Sequence, residues 1–302
     1  MGELIVELSG TQAGELLALA LALLSALAHA IFGAINKGGL DPFVNRGAIN
    51  VAYSLMAAPF ALFVVPLPSA ELAAILVVVF LIHVLYETLQ SAAFHLGAFT
   101  VVYPIARGTG PFITALAAIF VFGEHLNGGQ WLGLVVLSAS IMSLALANLR
   151  AIRKERLASS NLQLAIGVAL LTGVMIAVYT TVDAYGIRLA DDPFTFLAWF
   201  FFLGGFGFPV IAYFRWRRLV RRPPLQELAA RGLFGAIIAY VSFGAFILAT
   251  RVGKVSEAAA VRELSIVFAT GIGVLIFKEK IDLPRLVIIG FIAAGAIMVE
   301  LH

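Results

Sequence analysis

Of the 302 residues, 62% are hydrophobic and only 12% charged, with a mean hydropathy of +1.02. Soluble globular domains run at about half apolar and about a quarter charged, so this composition excludes one and reads as an integral membrane protein. The absence of cysteine excludes disulfides and cysteine-based metal or redox chemistry, and neither a cofactor nor a metal is expected. A net charge of +3 is modest and needs no nucleic-acid partner.

The apolar material falls into segments of roughly 20 residues, the length a helix needs to cross about 30 Å of hydrocarbon. Strand-like alternation is absent, which argues against a barrel. Ten spans are predicted at 15–34, 45–65, 71–93, 97–122, 129–148, 162–187, 193–214, 232–251, 255–277 and 283–301. The segment before the first span has Glu3 and Glu7 but no Lys or Arg, unlike the basic start of a cleaved signal peptide.

The first span carries His29. Short turns, Pro66-Leu67-Pro68 and Leu96-Gly97, bound the third, whose His83, Tyr86, Glu87 and Gln90 stand at i, i+3, i+4 and i+7, on one helical face. Such a face cannot point at lipid without a penalty of a few kcal/mol, so it lines a cavity or forms a hydrogen-bonded seam between helices. In the fourth span Tyr103 precedes Arg107 by about one turn, and Pro104 and Pro111 flank Arg107-Gly108-Thr109-Gly110. Prolines remove intrahelical donors, so a kinked or locally opened helix is expected there. The sixth span presents Thr172, Tyr179 and Asp183, and the eighth Tyr240. In the seventh, Gly204, Gly205 and Gly207 mark close packing or a flexible point before Pro209. No loop exceeds roughly 16 residues, which leaves no room for a folded extramembrane domain.

The basic residues divide unevenly. The loops after spans 1, 5, 7 and 9 hold Lys37 and Arg46; Arg150, Arg153, Lys154 and Arg156; Arg215, Arg217, Arg218, Arg221, Arg222 and Arg231; and Lys278, Lys280 and Arg285, which is 15 of the 20. The opposite side holds Arg188, Arg251 and Lys254, while Arg107 and Arg262 are intramembrane. The positive-inside rule places the rich side in the cytoplasm and both termini outside, periplasmic in a bacterium with an outer membrane.

An internal repeat is visible. Arg107 and Glu124 are separated by 17 positions, as are Arg262 and Glu279, and Phe122 and Phe277 stand two residues before each Glu. The offset of 155 is about half the chain, and five spans in each half invert the second relative to the first. Inverted repeats are a signature of secondary transporters, with the substrate site near the midplane between the repeats. The expected fold is therefore all-α, with ten transmembrane helices as two inverted five-helix repeats, 1–148 and 162–302, around a central cavity and joined by a cytoplasmic linker at 149–161.

The stretch from Val102 through Pro104, Arg107 and Pro111 to Phe122-Gly-Glu-His-Leu126 resembles the fourth-span signature of the drug/metabolite transporter superfamily, EamA type. Ala258 to Ile281, with Phe277-Lys-Glu-Lys-Ile281, is similar to its ninth-span counterpart. The resemblance covers essentially the whole chain and, within the superfamily, leans toward bacterial amino-acid and metabolite exporters. It departs at the first span, where Ala28-His29-Ala30-Ile31-Phe32-Gly33 stands in place of a tryptophan-bearing stretch.

These readings make a multi-pass inner-membrane transporter exporting small amphipathic metabolites, amino acids in particular, by alternating access, with drugs or other metabolites as the alternative cargo. His83, Tyr86, Glu87, Gln90, Tyr103, Tyr179 and Tyr240 are the expected substrate contacts. His29 and Asp183 are offset by 154 residues and are candidates for coupling to protons. Arg107 and Arg262 admit two roles: docking a substrate carboxylate, or locking the repeats as structural or gating elements with Pro104, Pro111, Glu124, Glu263 and Glu279; Glu257 and Glu263 are expected partners of Arg262. A monomer in the bilayer would suffice. The rival, a membrane-embedded enzyme acting on lipids or peptides, lacks any His-Glu-x-x-His or Gly-x-Ser-x-Gly.

Overall fold

The computed structural model describes residues 2–36, 40–154, 161–275, 278 and 281–301. Among these, every regular element is helical. A short helix, α1 (Gly2–Leu8), precedes α2 (Gln12–Asn36), α3 (Pro42–Phe63), α4 (Ala70–Leu96), α5 (Phe99–Phe122), α6 (Gly128–Lys154) and α7 (Leu162–Leu189). Three further stretches are interrupted helices: α8 (Pro193–Leu203) with α9 (Phe208–Arg218), α10 (Leu225–Ala239) with α11 (Ala245–Val252) through a wide turn at Tyr240–Gly244, and α12 (Val255–Arg262) with α13 (Ser265–Leu275). The last helix is α14 (Leu283–Leu301).

Among the described residues nine segments are long and apolar enough to cross a membrane. Helix α3 has the length but is less apolar, because Asn45, Arg46 and Asn50 lie along it; all three are buried against the protein. Phe277, Glu279, Lys37, Lys280 and residues 155–160 of the expected linker, Arg156 among them, lie outside the described residues.

Turn chemistry sets the helix ends. Asp41 caps α3 and Asp192 caps α8, each followed by proline at the first helical position, and Ser69 caps α4. Helix α5 ends on Gly123 at φ +66, a left-handed turn that glycine adopts without a Cβ clash. The turn redirects Glu124 onto the other half of the chain: its carboxylate accepts the backbone N–H of Val255 at 2.6 Å and of Ser256 at 3.1 Å, capping α12. At the position offset by 155, Lys278 also has positive φ, +54, without glycine's freedom.

The expected opening of α5 at its prolines is not found. The helix runs unbroken through Pro104 and Pro111. Pro104 has no N–H to offer the carbonyl of Thr100, and Asn148 of α6 donates to that oxygen instead, at 2.8 Å. The break falls in the other half, at Glu263-Leu264, where no proline or glycine stands. The glycines at 204, 205 and 207 do mark a break: they pack against Tyr53, Ser54, and Val84 with Phe80. The carbonyls freed there are met from α3, with Ser54 donating to Phe202 at 2.6 Å and Asn50 to Gly204 at 3.4 Å.

Candidate functional site

The polar face of α4 points inward, as a lipid-avoiding stripe must. His83, Tyr86 and Glu87 are buried, and Gln90 is half-buried and donates to the Tyr86 hydroxyl at 2.7 Å. Its residues divide between two neighbours. Glu87 turns to α3, where Oε1 accepts Arg46 Nε at 3.0 Å and Nη2 at 2.6 Å while Oε2 accepts Asn50 at 2.6 Å. His83 turns to α7, its Nε2 lying 2.9 and 3.1 Å from the two carboxylate oxygens of Asp183.

One expectation is corrected here. Arg46 is not a loop anchor but a buried partner of Glu87, so it leaves the count of cytoplasmic charges. Asp183 is joined to His83, and His29 Nδ1 lies 3.3 Å from the Ser242 hydroxyl in the Tyr240–Gly244 turn. Ser25 also donates to the Ser242 carbonyl, at 2.7 Å, so the first span satisfies the wide turn. Thr172 spends its hydroxyl on the Val168 carbonyl of its own helix.

The aromatic groups form a sheath around these pairs. The Tyr179 ring stands 4.6 Å from Tyr86 and 4.9 Å from His83, and Phe200 packs edge-on to His83 at 4.9 Å. Tyr103 stacks on Phe99 at 4.9 Å. Tyr240 lies apart from the four-residue stripe: its hydroxyl donates to the Tyr53 carbonyl at 2.9 Å and its ring rests on Phe201.

Arg107 reaches from α5 to the break between α12 and α13. Its Nε is 3.1 Å from Glu263 Oε2, and Nη2 donates to the Arg262 carbonyl at 3.4 Å and to Ser265 at 3.3 Å. The expected network of Arg262 with Glu263 and Glu257 is therefore not formed. Glu263 pairs with Arg107, and Glu257 turns to Lys254 at 2.6 Å and Gln130 at 2.9 Å. Glu124, at the end of the bundle, also faces Arg188, which is held by the carbonyls of Thr250 and Gly253, both at 2.9 Å.

Among the described residues, the spaces beside the polar centre include three of about 20, 10 and 20 Å³, none of them large enough for a solute. Each is about the size of one water and is bounded by charged or hydroxyl groups: Tyr53 with His83, Arg46 with Glu87, and His29 with Tyr86 and Tyr103. The bundle is closed around its polar centre because Phe200, Phe201 and Phe243 fill it. A groove of about 830 Å³ lies elsewhere, on the outer surface between α3, α9 and α10, and its exposed Val51, Leu55 and Leu233 offer nothing to orient a polar solute.

Arg46, Asn50, Ser242 and Ser265 escaped sequence reasoning. Asn50 and Ser54 follow Arg46 at four-residue intervals, the helical-face signal that singled out α4. The two serines are common residues in apolar helices and give no comparable signal.

A helical multi-pass membrane protein with charges paired across its interior is the class these features define. Residues 163–301 match the model of the EamA-like transporter family. A solved structure titled "Crystal structure of protein" is similar over 96% of this chain and 98% of that one, with a TM-score of 0.69; at 15% identity this shows a shared fold alone. No curated protein matches the sequence.

Proposed function

We propose that the chain is a secondary transporter that exports small amphipathic metabolites, aromatic and other neutral amino acids first among them, across the bacterial inner membrane by alternating access. The observation that carries this reading is the charge-paired interior built where helices from the two halves meet: His83 of α4 with Asp183 of α7, and Arg107 of α5 with Glu263 beyond α12. Buried charges in a bilayer are expensive, and a chain with no solute to pass would gain by replacing them with packed apolar groups. Hydroxyl-bearing aromatics beside them offer an apolar wall and a hydrogen bond to one small solute.

In this reading α3 completes a set of ten spans, as two inverted five-helix repeats at 1–148 and 162–302, and rocking of the repeats opens the closed centre to each side in turn. His83, Tyr86, Glu87, Gln90, Tyr103 and Tyr179 face the solute, with Tyr240 at the edge. The His83–Asp183 pair takes the coupling role expected of His29 and Asp183. Pro104, Arg107, Pro111, Glu124, Glu263 and Glu279 hold the repeats, and a monomer in the bilayer suffices. Within the family, the aromatic amino-acid exporter YddG is the model we favour for the cargo.

Reconstitution in proteoliposomes tests the proposal. Preloaded amino acid should accelerate entry of labelled amino acid, whereas turnover of a lipid or peptide without net solute movement would establish an enzyme instead. Single cysteines in this cysteine-free chain at Val220 and Asp191 should label from opposite sides, Val220 from the cytoplasm.

A further inference from the structure

The two arginines matched by the repeat have unequal surroundings. Both are buried, at 3% exposure for Arg107 and 2% for Arg262. Arg107 has a carboxylate, a carbonyl and a hydroxyl within reach. Among the described residues, Arg262 has no carboxylate within 4 Å. Its Nη1 donates to the Tyr179 hydroxyl at 3.4 Å, and its flat face lies against Phe246 at 4.2 Å and Phe243 at 4.9 Å. Its Nε and Nη2 have no hydrogen-bond partner.

The chemistry of the vacant edge is specific. Nε and Nη2 form the side of the guanidinium that holds a carboxylate with two parallel N–H groups. The same molecule uses this edge elsewhere: Arg46 grips Glu87 through Nε and Nη2. Three other interior charges are already matched, Arg46 to Glu87, Arg107 to Glu263 and His83 to Asp183, so among the described residues Arg262 is a buried cation left over. Stacking on two phenyl rings offsets part of its desolvation and leaves the forked edge free. The ring of Tyr179, which shares its hydroxyl with Arg262, is also the ring against which Tyr86 and His83 pack.

We propose that Arg262 is the carboxylate anchor of the transported solute, and that Arg107, its counterpart in the repeat, is a structural tie that takes no part in recognition. This rests on the transporter reading and narrows its cargo to carboxylates, amino acids included. The solute's carboxylate would occupy the Nε and Nη2 edge once the aromatic sheath opens, leaving Tyr86, Tyr179 and the His83–Asp183 pair for the rest of the molecule.

The test uses the full-length protein in proteoliposomes and solute pairs that differ only in the carboxylate: phenylalanine against phenethylamine, and alanine against ethylamine. Arg262→Gln should weaken entry of the amino acids at least about tenfold relative to the matching amines, the loss expected when a bidentate charged contact goes. Arg107→Gln should depress every solute the wild type moves by one common factor. Should Arg262→Gln fail to fold, Arg262→Lys decides, since it keeps the charge and loses the fork: the half-saturating concentration should rise for carboxylates alone. Equal losses for acids and amines in the Lys variant, or wild-type transport confined to solutes without a carboxylate, would overturn the anchor while leaving the transporter in place. A wild type that moves nothing overturns the transporter reading, and the anchor with it.

Discussion

The Arg46–Glu87 pair is buried and hydrogen-bonded on both sides. Glu87 is 3% exposed and accepts three hydrogen bonds, two from Arg46 and one from Asn50, all between 2.6 and 3.0 Å. Glu87→Ala strands a guanidinium that is 9% exposed, together with an amide donor. Removing one partner of a buried pair costs about 3–5 kcal/mol. Replacing both partners by apolar groups of similar volume removes the stranded charge, so Arg46→Met with Glu87→Met should recover most of that loss. The sum of the single-mutant losses should exceed the loss in the double mutant by about 2 kcal/mol or more, the coupling expected of residues in direct contact. Reversible unfolding in mixed micelles, read by circular dichroism against denaturing detergent, measures the wild type, Arg46→Met, Glu87→Met and their double variant, the four corners of the cycle, with Glu87→Ala beside them. Additive losses, or a Glu87→Ala cost below about 1 kcal/mol as for an exposed pair, would refute the claim that these charges are dry and mutually dependent.

Three further outcomes are expected in the same assay. Gly295→Ala should destabilise by about 1–3 kcal/mol, because an added Cβ would meet backbone atoms of Leu137 and Gly133 on α6 at 2.7–2.9 Å; Gly290→Ala, on the same helix with open space, should instead gain up to about 1 kcal/mol in helix propensity. Lys278→Gly should be neutral to stabilising by about 0.5 kcal/mol, since φ +54 favours glycine, while Lys278→Val should lose more than about 1 kcal/mol. Glu124→Ala should cost about 1–2 kcal/mol by uncapping α12, and Glu124→Gln less, because an amide oxygen still accepts from Val255 or Ser256.

Length and apolarity made most of the helices legible, since a bilayer crossing constrains both. Helix α3 sits at the margin of that signal because it spends Asn45, Arg46 and Asn50 on the interior. The predicted opening in α5 failed for a reason no local pattern carries: a side chain 44 positions away, Asn148, meets the carbonyl that Pro104 abandons. The break at Glu263-Leu264 has the converse explanation, for it is tolerated because Arg107 and Ser265 gather around it. The stripe on α4 was readable as a face, but its division between α3 and α7 depends on which helices pack on each side, and spacing within one helix does not encode that. Likewise the repeat offset of His29 and Asp183 carries no information on their partners, which are Ser242 and His83.

The contact from Glu124 to the start of α12 has a consequence for the chain as a piece of engineering. Each side of the seam supplies atoms that the other needs: Glu124 terminates a helix made of residues beyond 254, and Arg107 closes a break beyond 262. A fragment ending at residue 154 would carry both into the bilayer with nothing to receive them, and one beginning at 161 would carry an uncapped helix. Severing the peptide between 154 and 161 cuts none of these contacts. Two such fragments made in one cell should find each other and restore a protease-resistant, co-purifying complex, while either made alone should be degraded. What holds the molecule together is thus an association between two partners that happen to share one chain.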